Sequence, residues 1–375
     1  TMKFCFWGNI SGALPGRYPG GGGELQIALL AKALALKGHE VVIVDPYSTK
    51  SFITEEGVQL VHVPDWNKGV RALRFFWNRI PALRKIFIAQ KADYYYVRMR
   101  SYLHLIPYLA AKKNKSKFIV GIASDIDVLS FKKKIKYSYK GNINLLRFLM
   151  INLPNDIAFN YLLRKSDYVI LQHAGQHFGS PHLKRRQAFF SNIIRPVSIP
   201  LNQTDSKKYF LFAGSLTMLK GADRLLELIK IVEDSVSFKI LGLPLGIKPI
   251  KIYEELKRQK NVELLGEKNH LESLQLISNA KALINTSYYE GFSNTFLESW
   301  AYGTPVISLN VNPGNIFNAY SLGICCNGNL DRMKQAIESG ETDGIDKYEM
   351  IAYVSGFHHF DTAAERFLNI LNHHP

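Results

Sequence analysis

Short apolar runs alternate with helix-like segments over the first half of the chain. Residues 2–8 (MKFCFWG) and 39–45 (HEVVIVD) have the length and composition of buried strands, and residues 24–38 between them predict a helix that ends at Gly38. Further strand-like runs occupy 92–99, 116–124 and 166–172, with helical segments at 105–113 and 158–165. This alternation predicts a parallel sheet covered by helices.

A second alternating series follows a proline-bearing segment at 195–208. Strands are predicted at 209–215, 236–242, 262–266, 281–287 and 305–309, and helices at 222–234, 270–280 and 295–303. The expected fold class is therefore α/β, with two Rossmann-like, doubly wound domains at 1–197 and 206–355. Residues 356–375 predict a terminal helix that packs back toward the N-terminal domain. Ligands of such folds bind at the carboxyl ends of the strands, which predicts a site in the strand-to-helix loops of both domains, facing each other across a central cleft.

The charge of the chain indicates an anionic partner. Its 375 residues include 47 Lys and Arg against 31 Asp and Glu, a net charge of +16. Residues 68–91 carry seven basic side chains and no acidic one, with apolar residues at helical spacing, and a second lysine-rich segment lies at 131–140. Basic amphipathic segments of this kind bind anionic membrane surfaces, although solvated faces of ordinary packed helices have the same pattern.

Apolar runs, the first residues and the cysteines indicate the cellular compartment. No run of 18 or more apolar residues is found, so we expect no membrane span, and residues 1–9 do not have the pattern of a secretory signal. The cysteines, Cys5, Cys325 and Cys326, do not form a disulfide framework or a zinc motif. We expect a cytoplasmic protein, with the inner face of the cell membrane as a possible location.

The first loop whose sequence suggests ligand binding is GALPGRYPGGGGELQ, residues 12–26. Gly20, Gly21, Gly22 and Gly23 precede a helix, where backbone N–H groups can converge on an anion or a sugar. A nicotinamide dinucleotide site is an alternative, with Asp45 as its ribose-binding acid, but it would require the glycines directly after the strand. A plain surface loop is the third interpretation.

Two loops of the second domain carry the remaining signals. In AGSLTMLKGADRL (213–225), Lys220 lies at a helix start and suits a diphosphate. In YYEGFSNTFLESWAYGTPVIS (288–308), Thr295 and Glu298 have the spacing of a capping box, which would explain Glu298 by helix stability alone. The capping box does not explain Glu290 or the GFSN loop. Free N–H groups at this helix start could bind phosphate, and Glu298 could accept hydrogen bonds from ribose hydroxyls.

Taken together, these motifs resemble those of the retaining nucleotide-sugar glycosyltransferases of family four, which have the GT-B fold. The Glu-x7-Glu spacing, the preceding NTS, the following SWAYGTPVIS, and the earlier AGSLTMLKG, ILG and NVELLG all occur in the order of that family's donor-binding domain. The resemblance is strong over 209–310 and looser before it, where the N-terminal domain would bind the acceptor.

The resemblance implies a role for each matching residue. Glu290 and Lys220 would be catalytic, Glu290 against the transferred sugar and Lys220 against the leaving diphosphate, and Asp125 or Ser124 would stand where many relatives have a histidine. The donor would be bound by Gly22, Gly23, Ser215, Lys220, Gly291, Phe292, Ser293, Asn294, Thr295 and Glu298. Ser215 departs from the family's Gly-Arg-Leu, so that Arg17, Arg224 or another cation would have to replace the missing arginine.

The function that follows is the transfer of a hexose-type sugar from a UDP- or GDP-sugar to a hydroxyl, with retention of configuration. A lipid-linked saccharide of bacterial surface polysaccharide or glycolipid synthesis is the expected acceptor. Asp125 and Asp127 also match the metal-binding Asp-x-Asp of the other glycosyltransferase fold, but Lys220 and helix N-termini could supply the charge, so no metal or other cofactor is expected. The alternatives are a GT-B epimerase or phosphorylase, an NAD-dependent oxidoreductase, and a basic nucleic-acid-binding protein. The last would require stacking aromatics on a basic face, for which there is no sequence signal, and nucleic acid is not an expected partner.

Overall fold

A computed structural model describes residues 1–8, 21–70, 74–129, 148–176, 186–198 and 209–373. The chain divides into two compact units. The first contains the described parts of 1–128, 143–193 and 360–375, and the second is built from 194–359. The chain therefore leaves the first unit, forms the second, and returns to the first with its last helix.

The first unit contains an eight-stranded sheet in the order β3-β4-β2-β1-β5-β6-β7-β8. All neighbouring strands are parallel except β3 and β4, which pair antiparallel. The strands are β1 (Lys3–Trp7), β2 (Glu40–Asp45), β3 (Phe52–Ile53), β4 (Gln59–His62), β5 (Tyr94–Arg98), β6 (Lys117–Gly121), β7 (Tyr168–Leu171) and β8 (Gln187–Phe189). The central strands are buried on both faces, which is why they are continuous runs of Val, Ile, Phe and Tyr.

Helices cover both faces of this sheet. They are α1 (Gly22–Leu36), α2 (Ile80–Gln90), α3 (Leu105–Asn114), α4 (Leu153–Lys165) and the last helix of the chain, which is numbered α12 below (Phe360–His373). The rings of Phe4, Tyr96 and Phe190 pack around Phe367 of this last helix. The Tyr168 hydroxyl donates to the carbonyl oxygen of Leu371. The terminal helix is thus part of the core of the first unit.

The second unit contains a six-stranded, fully parallel sheet in the order β11-β10-β9-β12-β13-β14. Its strands are β9 (Phe210–Ala213), β10 (Phe238–Leu241), β11 (Val262–Gly266), β12 (Ala282–Asn285), β13 (Val306–Ser308) and β14 (Gly323–Cys325). Its helices are α5 (Ala222–Ile231), α6 (Ile247–Leu256), α7 (His270–Ser278), α8 (Asn294–Ala301), α9 (Ile316–Ala319), α10 (Leu330–Glu338) and α11 (Lys347–Phe357). The predicted fold class, α/β with two doubly wound Rossmann-like units, is confirmed.

The basic stretch 68–91 is not one amphipathic helix. Residues Phe75–Arg79 form a π-helical turn, and α2 begins at Ile80, with Pro81 in its first turn. Leu83 and Phe87 point into the core, whereas Trp77 is 73% exposed. The second lysine-rich segment, 131–140, lies outside the described residues. None of the described helices has the length and apolar character needed to cross a bilayer.

Candidate active site

Glu290 is a buried carboxylate on which several donors converge. It follows β12, and its side chain is 8% exposed. Its Oε1 accepts hydrogen bonds from Lys220 Nζ at 2.9 Å and from Asn285 Nδ2 at 3.0 Å, and also from the Ser287 hydroxyl. Charge-assisted bonds of this kind are among the strongest in proteins. Glu290 is therefore held in one orientation at the carboxyl end of the sheet.

The environment of Glu290 keeps it ionised. Burial alone would raise the pKa of this carboxyl, but the positive charge of Lys220 and hydrogen bonds from Ser287 and Ser293 outweigh it. The pKa of Glu290 consequently lies below its ordinary value. At neutral pH the group is a fixed negative charge beside a fixed positive one.

The Lys220 backbone is fastened to the loop that carries Glu290. The Thr286 hydroxyl donates to the carbonyl oxygens of Lys220 at 3.1 Å and Gly221 at 3.0 Å, and the Lys220 N–H donates to Thr217 Oγ1. Gly221 has φ +70°, and a Cβ there would lie 2.0 Å from the Thr286 carbonyl oxygen. Only glycine permits this approach of the two loops. The Lys220 side chain is 36% exposed, so its ammonium combines one buried partner with access to solvent.

The GFSN loop leads into α8 differently from the prediction. Ser293, not Thr295, is the N-cap residue, and it makes no capping hydrogen bond. Its hydroxyl instead lies 2.9 Å from the Thr295 hydroxyl. The predicted capping box of Thr295 and Glu298 is therefore wrong, because the helix begins two residues earlier than that box requires. Gly291, Phe292 and Asn294 belong to the same turn, and Phe292 is buried against Trp300 and His358.

Glu298 projects from α8 toward α7. Its Oε1 lies 3.1 Å from His270 Nε2, and its side chain is 13% exposed. Helix packing rather than N-terminal capping therefore positions this carboxylate. His270 follows Asn269, whose side chain forms a capping box with Glu272 at the start of α7.

Ser215 is exposed, in a loop fixed by backbone hydrogen bonds. The Gly214 N–H donates to the Leu241 carbonyl at 2.9 Å, and the Leu216 N–H to the Leu243 carbonyl at 3.0 Å. Of the cations considered as substitutes for an arginine at this position, Arg17 lies outside the described residues. Arg224 stacks on Tyr288 with its guanidinium 3.9 Å from the ring centre, which places it beside the loop between β12 and Glu290.

In the first unit, Gly22 and Gly23 are the first two residues of α1. A Cβ at Gly23 would lie 2.7 Å from the Met99 sulfur. The start of α1 therefore packs closely against the Met99 side chain, just after β5. Residues 9–20, which include Gly20, lie outside the described residues.

Asp125 and Asp127 have separate tasks. Asp127 Oδ2 accepts the N–H groups of Ala123 and Ser124 at 3.1 Å each, and Arg100 Nε donates to its Oδ1 at 2.9 Å. Asp125 Oδ1 instead lies 2.8 Å from His173 Nε2 and accepts from Gln176 Nε2 at 2.8 Å. Asp127 thus holds the loop together, whereas Asp125 lies at the carboxyl end of β6 in a partly exposed position.

Comparison with known proteins agrees with the geometry of the second unit. Residues 198–354 match the family model described as glycosyl transferases group 1. These residues form a glycosyl transferases group 1 domain. A search of curated proteins finds no significant match to the chain.

Solved structures resemble the whole chain, including the part before the group 1 domain. Sucrose-phosphate synthase from Thermosynechococcus elongatus has a TM-score of 0.76 at 15% identity, covering 99% of this chain and 98% of the other. HepE from Anabaena, in complex with UDP and glucose, has a TM-score of 0.68 at 14% identity, covering 99% and 100%. WaaG, a glycosyltransferase involved in lipopolysaccharide biosynthesis, has a TM-score of 0.69 at 16% identity and covers 100% of both chains. These likenesses show the GT-B fold.

Several residues that shape the group 1 domain and its partner unit escaped sequence reasoning. Asn285 and Ser287 bind Glu290, and His270 binds Glu298. The first two lie in the NTS run, which carried part of the family resemblance but gave neither residue a role, and His270 lies in no motif named above. Their signal was positional, because Asn285 and Ser287 lie at the end of the predicted strand 281–287, where the site was expected. His173 also follows a strand end, and its pairing with Asp125, 48 residues away, required the sheet order.

Proposed function

We propose that this protein is a retaining glycosyltransferase that transfers a hexose-type sugar from a UDP-sugar to an acceptor hydroxyl. The observation that carries the proposal is the ion pair between Lys220 and Glu290 inside a glycosyl transferases group 1 domain. An ammonium at the edge of a parallel sheet suits a departing diphosphate, and an adjacent ionised carboxylate suits sugar hydroxyls. UDP is preferred to GDP because HepE, which shares this fold, was solved with UDP and with UDP-glucose.

In the proposed reaction, the bond between the anomeric carbon and the diphosphate oxygen breaks, and a bond from that carbon to the acceptor oxygen forms. The acceptor proton passes to the departing phosphate on the same face, which retains the configuration. Lys220 stabilises the negative charge that builds up on the diphosphate. Glu290 orients the transferred sugar and does not attack it as a nucleophile, since its Oε1 already accepts hydrogen bonds from Lys220, Asn285 and Ser287. Because Lys220 supplies a cation, we expect no metal requirement.

The test is a panel of nucleotide sugars with soluble nitrophenyl hexosides as acceptors, in which released nucleotide and the glycoside product are measured with and without EDTA. We expect UDP release and product with at least one UDP-sugar, unchanged by EDTA, with retained configuration by NMR. A thermal-shift panel of UDP, GDP, NAD and an oligonucleotide provides an independent readout. Stabilisation by NAD alone, or by the oligonucleotide alone, would overturn the proposal. UDP-sugar turnover without a glycoside product would indicate an epimerase or phosphorylase type of enzyme.

We further propose that the acceptor is a lipid-linked saccharide at an anionic membrane surface. Phe76 and Trp77 are 65% and 73% exposed, and Met150, in a second π-helical segment (Phe148–Asn152), is 66% exposed. Tyr102 contacts the first segment and a residue close to the second. The rings of Phe75 and Tyr102 lie 5.6 Å apart, and the Tyr102 N–H donates to Asn155 Oδ1, just after the second segment.

Exposed aromatic and aliphatic side chains flanked by basic residues are typical of membrane-surface binding. Liposome flotation with and without anionic lipid tests this part of the proposal. We expect binding that requires anionic lipid and is lost in the double variant Phe76→Ser and Trp77→Ser. Tyr348→Ser, which removes a 67% exposed aromatic side chain from the second unit, is the matched control. Absence of wild-type binding to either liposome would refute the membrane surface as a partner.

A further inference from the structure

A groove in the second unit combines aromatic and polar side chains. It lies between α11 and the segment formed by α9 and the residues that follow it, and its volume is about 670 Å³. Small-molecule sites commonly have volumes of about 300 to 1,000 Å³. The side chains that give the groove its chemistry are Asn318, Tyr320, Ser321, Glu349, Tyr353 and Phe357. All of them belong to the second unit, and neither Lys220 nor Glu290 lines the groove, which is therefore distinct from their ion pair.

Three rings form one continuous aromatic surface in this groove. The ring centres of Tyr320 and Tyr353 lie 4.7 Å apart, and Phe357 lies 5.7 Å from the first and 5.3 Å from the second. Tyr353 is buried and packs edge-on against Trp300, a fully buried core residue. Tyr320 and Phe357, in contrast, are 41% and 49% exposed. The aromatic surface is thus anchored to the core on one side and accessible on the other, as exposed patches at binding sites are.

The polar side chains of the groove offer both donors and acceptors. Asn312 Oδ1 accepts the Phe317 N–H at 3.1 Å, so that Asn312 Nδ2 donates to Asn318 Oδ1 at 3.2 Å. This network leaves the Nδ2 group of Asn318 to donate elsewhere. Within the part of the chain that the structure describes, that Nδ2, the Ser321 hydroxyl and the Glu349 carboxylate have no hydrogen-bond or ion-pair partner. A ligand beside the rings could therefore bind an amide donor, a hydroxyl and a carboxylate acceptor.

This combination of groups suits a neutral saccharide. The C–H face of a sugar ring packs on an aromatic ring, and each sugar hydroxyl can both donate to Glu349 and accept from Asn318. An ammonium ion would suit the rings and Glu349, but it has no acceptor for the Asn318 amide. An anion would be repelled, because Glu349 is the charged side chain among the described residues that line the groove.

We propose that this groove is a second saccharide-binding site, apart from the sugar that is transferred at Lys220 and Glu290. Tyr320 and Phe357 stack on the sugar rings, while Glu349 and Asn318 bind their hydroxyls. The choice of a saccharide rests in part on the proposed function, because a glycosyltransferase encounters glycans as acceptors and products. No bond is made or broken in the groove, whose task is to hold a glycan on the surface of the second unit.

Isothermal titration calorimetry with maltotriose, mannotriose, galactotriose and triacetylchitotriose tests the groove without any nucleotide sugar. We expect at least one of them to bind with a dissociation constant on the order of 1 mM or below. Tyr320→Ala and Phe357→Ala should each weaken this binding about fivefold or more, and Glu349→Ala about threefold, because they remove a stacking ring or an acceptor. The matched control is Tyr348→Ala, which removes a 67% exposed ring from the same helix but outside the groove and should bind as the wild type does. Circular dichroism confirms that each variant is folded.

Absence of binding by all four trisaccharides would overturn the inference, and so would binding that Tyr320→Ala and Phe357→Ala leave unchanged. A parallel titration with choline distinguishes the cation. Choline binding that is lost in Tyr320→Ala, without trisaccharide binding, would make the groove a cation site and would likewise overturn the inference. None of these results affects the proposed function if the wild type turns over a UDP-sugar. Conversely, trisaccharide binding that is lost in Tyr320→Ala supports the inference even in a protein whose failure to turn over any nucleotide sugar refutes the proposed function.

Discussion

Lys220 Nζ and Glu290 Oε1 lie 2.9 Å apart, although 70 residues separate them in the chain. The pair unites the loop after β9 with the loop after β12, two neighbouring strands of the second sheet. Each partner affects the other, since the ammonium lowers the pKa of the carboxyl and the carboxylate holds the ammonium in place. Lys220 and Glu290 therefore act together as one ion pair and not as two independent side chains.

The first prediction concerns the ion pair of Lys220 and Glu290. Lys220→Ala and Glu290→Gln should each reduce kcat more than tenfold, because the first removes the charge that stabilises the diphosphate and the second removes the anchor of that charge. The double variant should lose much less than the product of the two losses. The measurement is steady-state kinetics with the active UDP-sugar, with circular dichroism to confirm folding.

The control for that prediction is the ion pair of Lys230 and Glu255, whose charged atoms lie 2.8 Å apart on the surface of α5 and α6. Both side chains are about half exposed, so Lys230→Ala should leave turnover unchanged. Wild-type turnover in Lys220→Ala and Glu290→Gln would show that the site lies elsewhere.

The second prediction concerns Glu298. If this carboxylate accepts the ribose hydroxyls of the nucleotide, the wild-type protein should bind UDP about tenfold more tightly than 2′-deoxy-UDP, and Glu298→Ala should bind both equally. A charged hydrogen bond of this kind contributes roughly 1.5 to 3 kcal/mol when shielded from solvent. Isothermal titration calorimetry gives both affinities. Continued discrimination by Glu298→Ala would assign ribose recognition to another group, whereas His270→Ala should weaken it only in part.

The third prediction uses two glycines of the second unit. Gly221→Ala should lower the free energy of unfolding by about 2 kcal/mol or more, because the residue has φ +70° and the new Cβ would meet the Thr286 carbonyl. Turnover should fall as well, since the substitution displaces Lys220. Gly356→Ala is the matched change: a Cβ there meets nothing within 4 Å, and the residue lies in α11, so it should stabilise by about 0.5 to 1 kcal/mol. The measurement is urea unfolding of both variants. Equal changes in the free energy of unfolding would contradict the prediction.

The fourth prediction concerns the dependence of stability on pH. Burial lowers the pKa of His104 from 6.5 to about 3. Below pH 6.5 the unfolded chain binds a proton that the folded chain does not, so folding stability falls as the pH decreases from 6.5 toward 3. Between pH 6.5 and 5 this amounts to about 2 kcal/mol.

The variant that isolates the contribution of His104 to this pH dependence is His104→Phe, which keeps a ring against Trp7. Its unfolding free energy should lose about 2 kcal/mol less than that of the wild type when the pH is lowered from 7 to 5. Parallel pH profiles of the two proteins, measured by urea unfolding, would exclude His104 as the source of the effect.

The apolar runs were sufficient to predict the central strands, because parallel strands buried on both faces have near-continuous hydrophobic runs, with charged residues such as Asp45 and Arg98 only at their ends. The short strands Phe52–Ile53 and Gln59–His62, at one side of the first sheet, were not predicted, since partly exposed strands tolerate mixed sequences. Trp77 shows another limit. Its spacing relative to Leu83 and Phe87 suggested one helical face, but a π-helical turn before Ile80 changes the rotation per residue, and Trp77 is exposed.

At the candidate site, single residues in motifs were predictable and their partners were not. Glu290 and Lys220 were identified from their loops, yet their direct contact depends on β9 and β12 being neighbours, which is a property of the sheet order. Thr295 and Glu298 have the spacing of a capping box, but the first turn of α8 includes Asn294, so the local rule was overridden. Their proposed roles in donor binding stay predictions until the variants are measured.

The last helix of the chain has a consequence for biosynthesis. Phe360, Ala363, Phe367 and Leu371 belong to the same hydrophobic core as Phe4, Ile27 and Val41. A ribosome synthesises every residue of the group 1 domain before it adds this helix. Part of the core of the first unit therefore stays uncovered until the residues of the second unit have been synthesised. The first unit, although most of it is synthesised earlier, therefore completes its hydrophobic core after the second unit has been synthesised.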